Sequence, residues 1–200
     1  MHLSQNEYYH VYNQGNNQQP IFFNHDNYIF FIKKIRAQIL PAADIIAWCL
    51  MPNHFHLIIH ANEKSVQERK SFGDKPIQEF AYRVGILLSS YTQAINKQNK
   101  TTGSLFRQKT KAKLLVETME GSIISYLEKC FFYILQNPKT AGLVVNPANW
   151  PYSCYADYVG LRRGNLCNKE LFFQQTGLDA GAIKGWCDWD LPDDLKKKLY

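Results

Sequence analysis

Two histidines, His54 and His56, stand two positions apart in the segment HFHLIIH that follows Pro52-Asn53. Successive side chains of a β-strand point to opposite faces, so both imidazoles share one face while Phe55 points into the other layer. With a rise of about 3.3 Å per residue their Cα atoms lie ~6–7 Å apart, and the rings can converge on one cation. Neutral imidazole is a common nitrogen ligand of divalent metals. The pattern predicts a metal site, with two ordinary half-exposed histidines as the alternative.

Basic residues accumulate in a stretch without acidic ones, between Glu79 and Glu117, and the whole chain carries a net charge of +6. The basic residues of the stretch are Arg83, Lys97, Lys100, Arg107, Lys109, Lys111 and Lys113. Polar and aromatic residues alternate with these charges, which favours a surface that contacts a phosphate backbone over a simply solvated face. We expect Arg107, Lys109, Lys111 and Lys113 to contact phosphates and Phe106 to stack on a base, with a solvated loop as the alternative.

Hydrophobic periodicity and turn residues predict the order strand, helix, strand, strand, helix, strand, helix. The strands are expected at 8–13, 44–51, 54–60 and 111–116, and the helices at 24–40, 76–98 and 121–136. A βαββαβ core of this kind is α+β: a ferredoxin-like (RRM-like) antiparallel sheet with helices on one face, which leaves the other face free for a ligand or a second subunit. Asn137-Pro138 is expected to end the last helix, and 61–76 to form a mobile loop.

The helix expected at 76–98 carries Tyr91 on its apolar stripe. A stripe position alone predicts a core tyrosine whose hydroxyl is satisfied at the edge of the packing. A helix that packs on the sheet can also carry a tyrosine whose phenol reaches past the packing surface. Both interpretations are open from the spacing alone.

Five segments together resemble a known family. MPNHFHLII resembles the HUH motif (His, bulky apolar, His) of the single-tyrosine transposases of small insertion sequences and their REP-associated relatives. YYHVYNQG is similar to the opening strand of that family, with Gln14 where Arg is usual. SSYTQAINKQ is similar to the helix that carries the nucleophile, TGSLFRQ to the basic segment after it, and LQNPKTAGLVVNPANWPYSCYADYVG to the tail. The resemblance covers residues 5–160.

The resemblance implies a metal-dependent enzyme in which Tyr91 attacks a phosphate of single-stranded DNA and forms a 5′-phosphotyrosine, leaving a free 3′-hydroxyl. His54 and His56 would bind Mg²⁺ or Mn²⁺ with a third ligand, an amide or carboxylate about one turn beyond the tyrosine. Position 95 is Ile, which departs from that pattern, and we therefore assign Asn96 as the third ligand. The alternatives to Asn96 are Gln98, His10 and Asn13.

The resemblance also implies single-stranded or hairpin DNA as the partner and a homodimer. It leaves open whether the tyrosine helix of a copy completes the site of its own chain or that of the other copy. We expect a transposase domain over 1–160 and a C-terminal extension over 161–200. Without a membrane span or signal peptide, a cytoplasmic protein is expected. Five cysteines without a C-x-x-C spacing favour reduced thiols over a disulfide framework or zinc. The alternatives are a non-catalytic binder of structured nucleic acid, a phosphodiesterase that uses activated water, and a protein-interaction module.

Overall fold

The computed structural model describes residues 1–70, 75–115 and 125–188. A four-stranded sheet is formed by β1 (Tyr8–Gln14), β2 (Asp44–Met51), β3 (His54–His60) and β6 (Lys111–Leu114). The strand order is β2-β3-β1-β6, and every neighbouring pair is antiparallel. This is the strand order of a ferredoxin-like sheet, and the predicted α+β class is confirmed.

The region predicted as a loop after β3 contains short elements. They are α2 (Glu63–Val66), β4 (Glu68–Lys70) and β5 (Pro76–Gln78), and the last two pair as an antiparallel hairpin. Asn62 caps α2 through a capping box with Ser65, which satisfies backbone donors at its start. Short regular elements thus lie where a mobile loop is predicted, and 71–74 lie outside the described part of the chain.

Two long helices, α1 (His25–Gln38) and α3 (Glu79–Asn99), cover one face of the sheet. Asn24 is the N-cap of α1, since its side chain accepts a hydrogen bond from the backbone amide of Asn27. Phe31 of α1 packs against Phe55 of β3, with ring centroids 5.3 Å apart. Both core helices thus lie on the face that carries the odd-numbered side chains of β3.

A further helix, α4 (Tyr126–Thr140), packs against β2 on the opposite face of the sheet, where it also contacts His56 of β3. The expectation that this face stays free is wrong, because the helix buries an apolar side there. Helix α4 also continues through Asn137-Pro138, although these residues were expected to end it. Pro138 lies in the last turn, where its missing N–H costs a single helical hydrogen bond. The expected start at Gly121 falls outside the described residues.

The C-terminal part adds to the same core. Residues 152–154 follow the free edge of β2, where the amide of Leu50 bonds the carbonyl of Tyr152 and the amide of Cys154 bonds that of Trp48. The helices α5 (Tyr155–Tyr158), α6 (Lys169–Thr176) and α7 (Ala180–Asp188) follow. Phe172 stacks on Phe131 of α4 at 4.0 Å, so residues beyond 160 share the core of the sheet domain. Within the described residues, none of the helices is both long and apolar enough to cross a membrane.

Candidate metal and nucleic-acid site

His54 and His56 lie on the same face of β3, with ring centroids 4.8 Å apart. His56 is fully buried and His54 is half-buried. Between them, Phe55 points to the helices on the opposite face. The alternation predicted from the sequence therefore holds, and it brings the two imidazoles together.

The ring of His54 has one nitrogen bound and one available. Its Nδ1 lies 2.6 Å from Oδ1 of Asn53, and an oxygen accepts there, so Nδ1 carries the hydrogen. Burial lowers the pKa of His54 to about 4, which keeps the ring neutral at physiological pH. The buried Nε2 then bears a lone pair, and it has no hydrogen-bond partner among the described residues. This is the protonation pattern of a metal-ligating histidine.

Residues that follow β1 bind the backbone of the turn before His54. The amide of Gly15 donates to the carbonyl of Asn53, and that of Ile21 to the carbonyl of Pro52, each at 2.8 Å. The backbone approaches so closely that a Cβ on Gly15 would lie 2.2 Å from the carbonyl oxygen of Gln19. Glycine is thus required at position 15, and the turn before His54 is fixed from both sides.

His56 has a polar partner on each ring nitrogen. Its Nε2 lies 3.0 Å from Nδ2 of Asn137, and its Nδ1 lies 2.9 Å from Nε2 of His10. Burial holds the pKa of His56 well below its usual value, and the neighbouring His10 and His54 lower it further. The ring of Tyr133 meets that of His56 edge-on, with centroids 5.7 Å apart.

Tyr133 and Asn137 are separated by one turn of α4, so both side chains project from the same side of the helix. That side lies on the histidine face of the sheet, as their contacts with His56 show. Sequence reasoning missed both residues. The signal was present: a tyrosine followed four positions later by an amide is the spacing that the family resemblance implies, and Tyr91 with Ile95 lacks it.

Cationic side chains border the histidines. A cavity of about 320 Å³ beside them is lined by Arg107, Lys109 and Lys111 among other residues, and all three are exposed. Lys113 on β6 lies opposite His10 on β1 in the strand register, and its Nζ lies 5.6 Å from the ring centroid of Tyr126. The four predicted phosphate contacts therefore lie along one edge of the histidine face.

Tyr91 lies elsewhere. Its ring is fully buried on the helix-covered face, 4.8 Å from the ring of Phe31, and its hydroxyl donates to the carbonyl of Ile21 at 2.7 Å. Burial, and then the neighbouring Tyr28, raise its pKa, so the phenol stays protonated. The prediction that Tyr91 reaches the histidines is wrong, because the sheet separates them. The stripe position of Tyr91 predicted the core tyrosine that the structure shows.

Two other predicted site residues, Phe106 and Asn96, also lie away from the histidines and make contacts within the fold. Phe106 is 4% exposed and packs against Phe31 and Phe55 in the core, so stacking on a base is wrong for it. Asn96 stabilises the turn after α3 through two hydrogen bonds. Its Nδ2 donates to the carbonyl of Gly103, and its Oδ1 accepts from the hydroxyl of Thr101. Asn96 lies on the helix-covered side and is not brought to the histidines.

The three alternatives to Asn96 as a metal ligand, Gln98, Asn13 and His10, also form hydrogen bonds with other residues. The side-chain oxygen of Gln98 accepts a hydrogen bond from the side-chain amide of Asn27. Asn13 donates to the carbonyl of Arg107 and to the hydroxyl of Thr110, and it thereby anchors the basic segment to β1. His10 does lie on the histidine face, but it contacts Nδ1 of His56, on the side of the ring away from Asn137.

Two imidazole nitrogens and one side-chain amide form a donor set that can bind a divalent cation. Two ligands that each lie about 2.1 Å from Mg²⁺ at a right angle are roughly 3 Å apart. Asn137 and Nε2 of His56 have this separation, and a half-turn of the amide places its oxygen there. Among the described residues, no group of three His, Cys, Asp or Glu side chains could hold a metal ion. The proposed set of ligands therefore depends on the side-chain amide of Asn137.

Neither a protein-family model nor a curated protein matches the chain. Among solved structures, the chain is similar to a REP-associated tyrosine transposase that was determined bound to a REP hairpin. The TM-score is 0.53 and the sequence identity is 17%, over 84% of this chain and 91% of that chain. At this identity the likeness shows the fold, an α+β architecture on an antiparallel four-stranded sheet.

Proposed function

We propose that this protein is a metal-dependent single-tyrosine transposase, or a relative with a host function, that cleaves and rejoins single-stranded DNA with Tyr133 as its nucleophile. One observation carries the proposal: α4 lays Tyr133 and Asn137 across the histidine face, with the Asn137 amide 3.0 Å from Nε2 of His56. The side chains of Tyr133, Asn137, His54 and His56 lie close together within one chain, which supports their proposed roles as nucleophile and metal ligands.

His54, His56 and Asn137 would hold Mg²⁺ or Mn²⁺. When bound, the metal polarises the scissile phosphate and neutralises part of its charge. The neutral imidazoles and the amide add no negative charge of their own, so the metal centre would keep a net charge of about +2 that attracts the phosphate. The basic edge formed by Arg107, Lys109, Lys111 and Lys113 would hold the flanking backbone.

In the cleavage step the phenolic oxygen of Tyr133 forms a bond to phosphorus and gives up its proton. The bond between phosphorus and the 3′ oxygen breaks, and that oxygen takes up a proton and leaves as a hydroxyl. The product is a 5′-phosphotyrosine, and attack by a 3′-hydroxyl reverses the step. The phosphodiester energy is retained, so rejoining needs no nucleotide cofactor.

Hairpin-flanked single-stranded DNA is the proposed substrate. The fold likeness to a transposase determined with a REP hairpin supports this choice, together with the exposed cations beside the histidines. The homodimer expected from the resemblance stays a prediction. Tyr133 meets His56 within one chain, and we therefore propose that each copy cleaves on its own.

The test uses a pool of oligonucleotides in which a hairpin flanks randomised single strands, labelled at the 3′ end. With Mn²⁺ or Mg²⁺ we expect label to become covalently attached to the protein, and peptide mass spectrometry to place the nucleotide on Tyr133. Cleavage that persists in Tyr133→Phe would favour water-activated hydrolysis. Binding without an adduct across the whole pool would favour the non-catalytic nucleic-acid binder.

A further inference from the structure

His10 is a fully buried histidine on β1 that the cleavage step does not use. It faces Ile58 in the strand pairing and therefore lies diagonally from His56 on the same face of the sheet. Its ring stacks on Tyr12 at 4.6 Å and on His56 at 5.0 Å. These contacts fix the orientation of the His10 ring next to the metal-ligating imidazole.

The hydrogen bonds of His56 fix which of its nitrogens carries the proton. The amide nitrogen of Asn137 donates to Nε2 of His56, so Nε2 is the acceptor. In a neutral imidazole the hydrogen is then on Nδ1, and it points to Nε2 of His10 at 2.9 Å. His10 consequently accepts through Nε2 and carries its own hydrogen on Nδ1.

A metal ligand needs this arrangement, because only a nitrogen without hydrogen can bind the cation. Imidazoles that ligate metals commonly donate their second N–H to a fixed acceptor, and loss of that acceptor weakens metal binding by about 10–100-fold. For His54 the acceptor is Oδ1 of Asn53, which is the residue directly before it in the turn between β2 and β3. For His56 the corresponding acceptor comes from the neighbouring strand.

We propose that His10 is a positioning residue: it accepts the Nδ1 hydrogen of His56 and so presents the Nε2 lone pair of His56 to the metal. This inference rests on the proposed function, since it requires a metal at His54, His56 and Asn137. It assigns His10 a role outside the ligand set, although the sequence left it open as a ligand.

The experiment compares substitutions of His10 that differ in acceptor reach. In His10→Gln the side-chain oxygen stands as many bonds from Cβ as Nε2 does, whereas in His10→Asn it is one bond short, and His10→Phe keeps a ring without an acceptor. We expect Mn²⁺ affinity, measured by electron paramagnetic resonance of the free ion, to fall about 10–100-fold in His10→Phe and His10→Asn. His10→Gln should recover most of the loss.

A measurement on the unchanged protein supplements the variants in case they fold poorly. Nitrogen-15 NMR of the metal-free chain should show His56 protonated on Nδ1. A proton on Nε2 instead, or equal Mn²⁺ affinity in the wild type and His10→Phe, would overturn the role of His10 and leave the cleavage proposal standing. Absence of Mn²⁺ binding by the wild type would overturn the proposed metal centre itself, and with it this inference.

Discussion

Nδ2 of Asn137 lies 3.0 Å from Nε2 of His56, which joins the last turn of α4 to the central histidine of β3. The two residues are 81 positions apart in the chain, so the contact exists only because α4 folds over the face opposite α1 and α3. This contact is the reason that we propose Tyr133 and not Tyr91 as the nucleophile, since Tyr133 is one turn from Asn137 and Tyr91 is on the other side of the sheet.

Substitution of Asn137 should separate metal binding from packing. We expect Asn137→Leu, similar in size, to abolish stabilisation by Mn²⁺, and Asn137→Asp to retain it because a carboxylate oxygen replaces the amide oxygen. At a metal concentration of 100 times Kd the wild type should gain about 2.7 kcal/mol in its free energy of unfolding. Urea denaturation with and without Mn²⁺ measures the gain. An unchanged gain in Asn137→Leu would exclude Asn137 as a ligand.

The two tyrosines should respond in opposite ways. We expect Tyr133→Phe to remove the covalent DNA adduct. Tyr91→Phe should keep the adduct and lower the free energy of unfolding by about 1–3 kcal/mol, because the buried carbonyl of Ile21 loses its donor. Adduct assays and urea denaturation on both variants check this. Loss of the adduct in a folded Tyr91→Phe protein would restore Tyr91 as the nucleophile.

Mixing of two inactive variants tests whether the site is complete in one chain. His56→Ala lacks a ligand and Tyr133→Phe lacks the nucleophile. We expect the mixture to remain inactive, since Tyr133 meets His56 of its own chain. Recovered adduct formation would mean that the tyrosine helix acts on a partner's histidines, and sedimentation of the same mixture reports whether a dimer forms.

The basic edge should govern the salt dependence of DNA binding. Each phosphate contact on a single strand contributes about 0.7 to the slope of log affinity against log salt. We expect Arg107→Gln to reduce the slope by about that amount, and Arg36→Gln, an exposed arginine on α1 and thus on the other side of the sheet, to leave it unchanged. Fluorescence anisotropy over a salt series measures both, and equal slopes for Arg107→Gln and the wild type would contradict the assignment.

The fold was largely predictable because its elements carry local signals. The alternation in HFHLIIH, the Asn24 cap and the apolar stripe of α3 each specify an element through neighbouring residues. The end of α4 was not predictable in this way. Asn137-Pro138 is a common helix stop, yet packing of the helix against the sheet outweighs one lost hydrogen bond.

The sequence by itself determined that His54 and His56 share a face, since strand periodicity depends only on the backbone. It also contained the four-residue spacing of Tyr133 and Asn137. Only the tertiary structure decided which face each helix covers, and so which tyrosine joins the histidines. Tyr91 and Tyr133 both lie on apolar sides of amphipathic helices, and a helix pattern specifies that a face is buried without specifying against what.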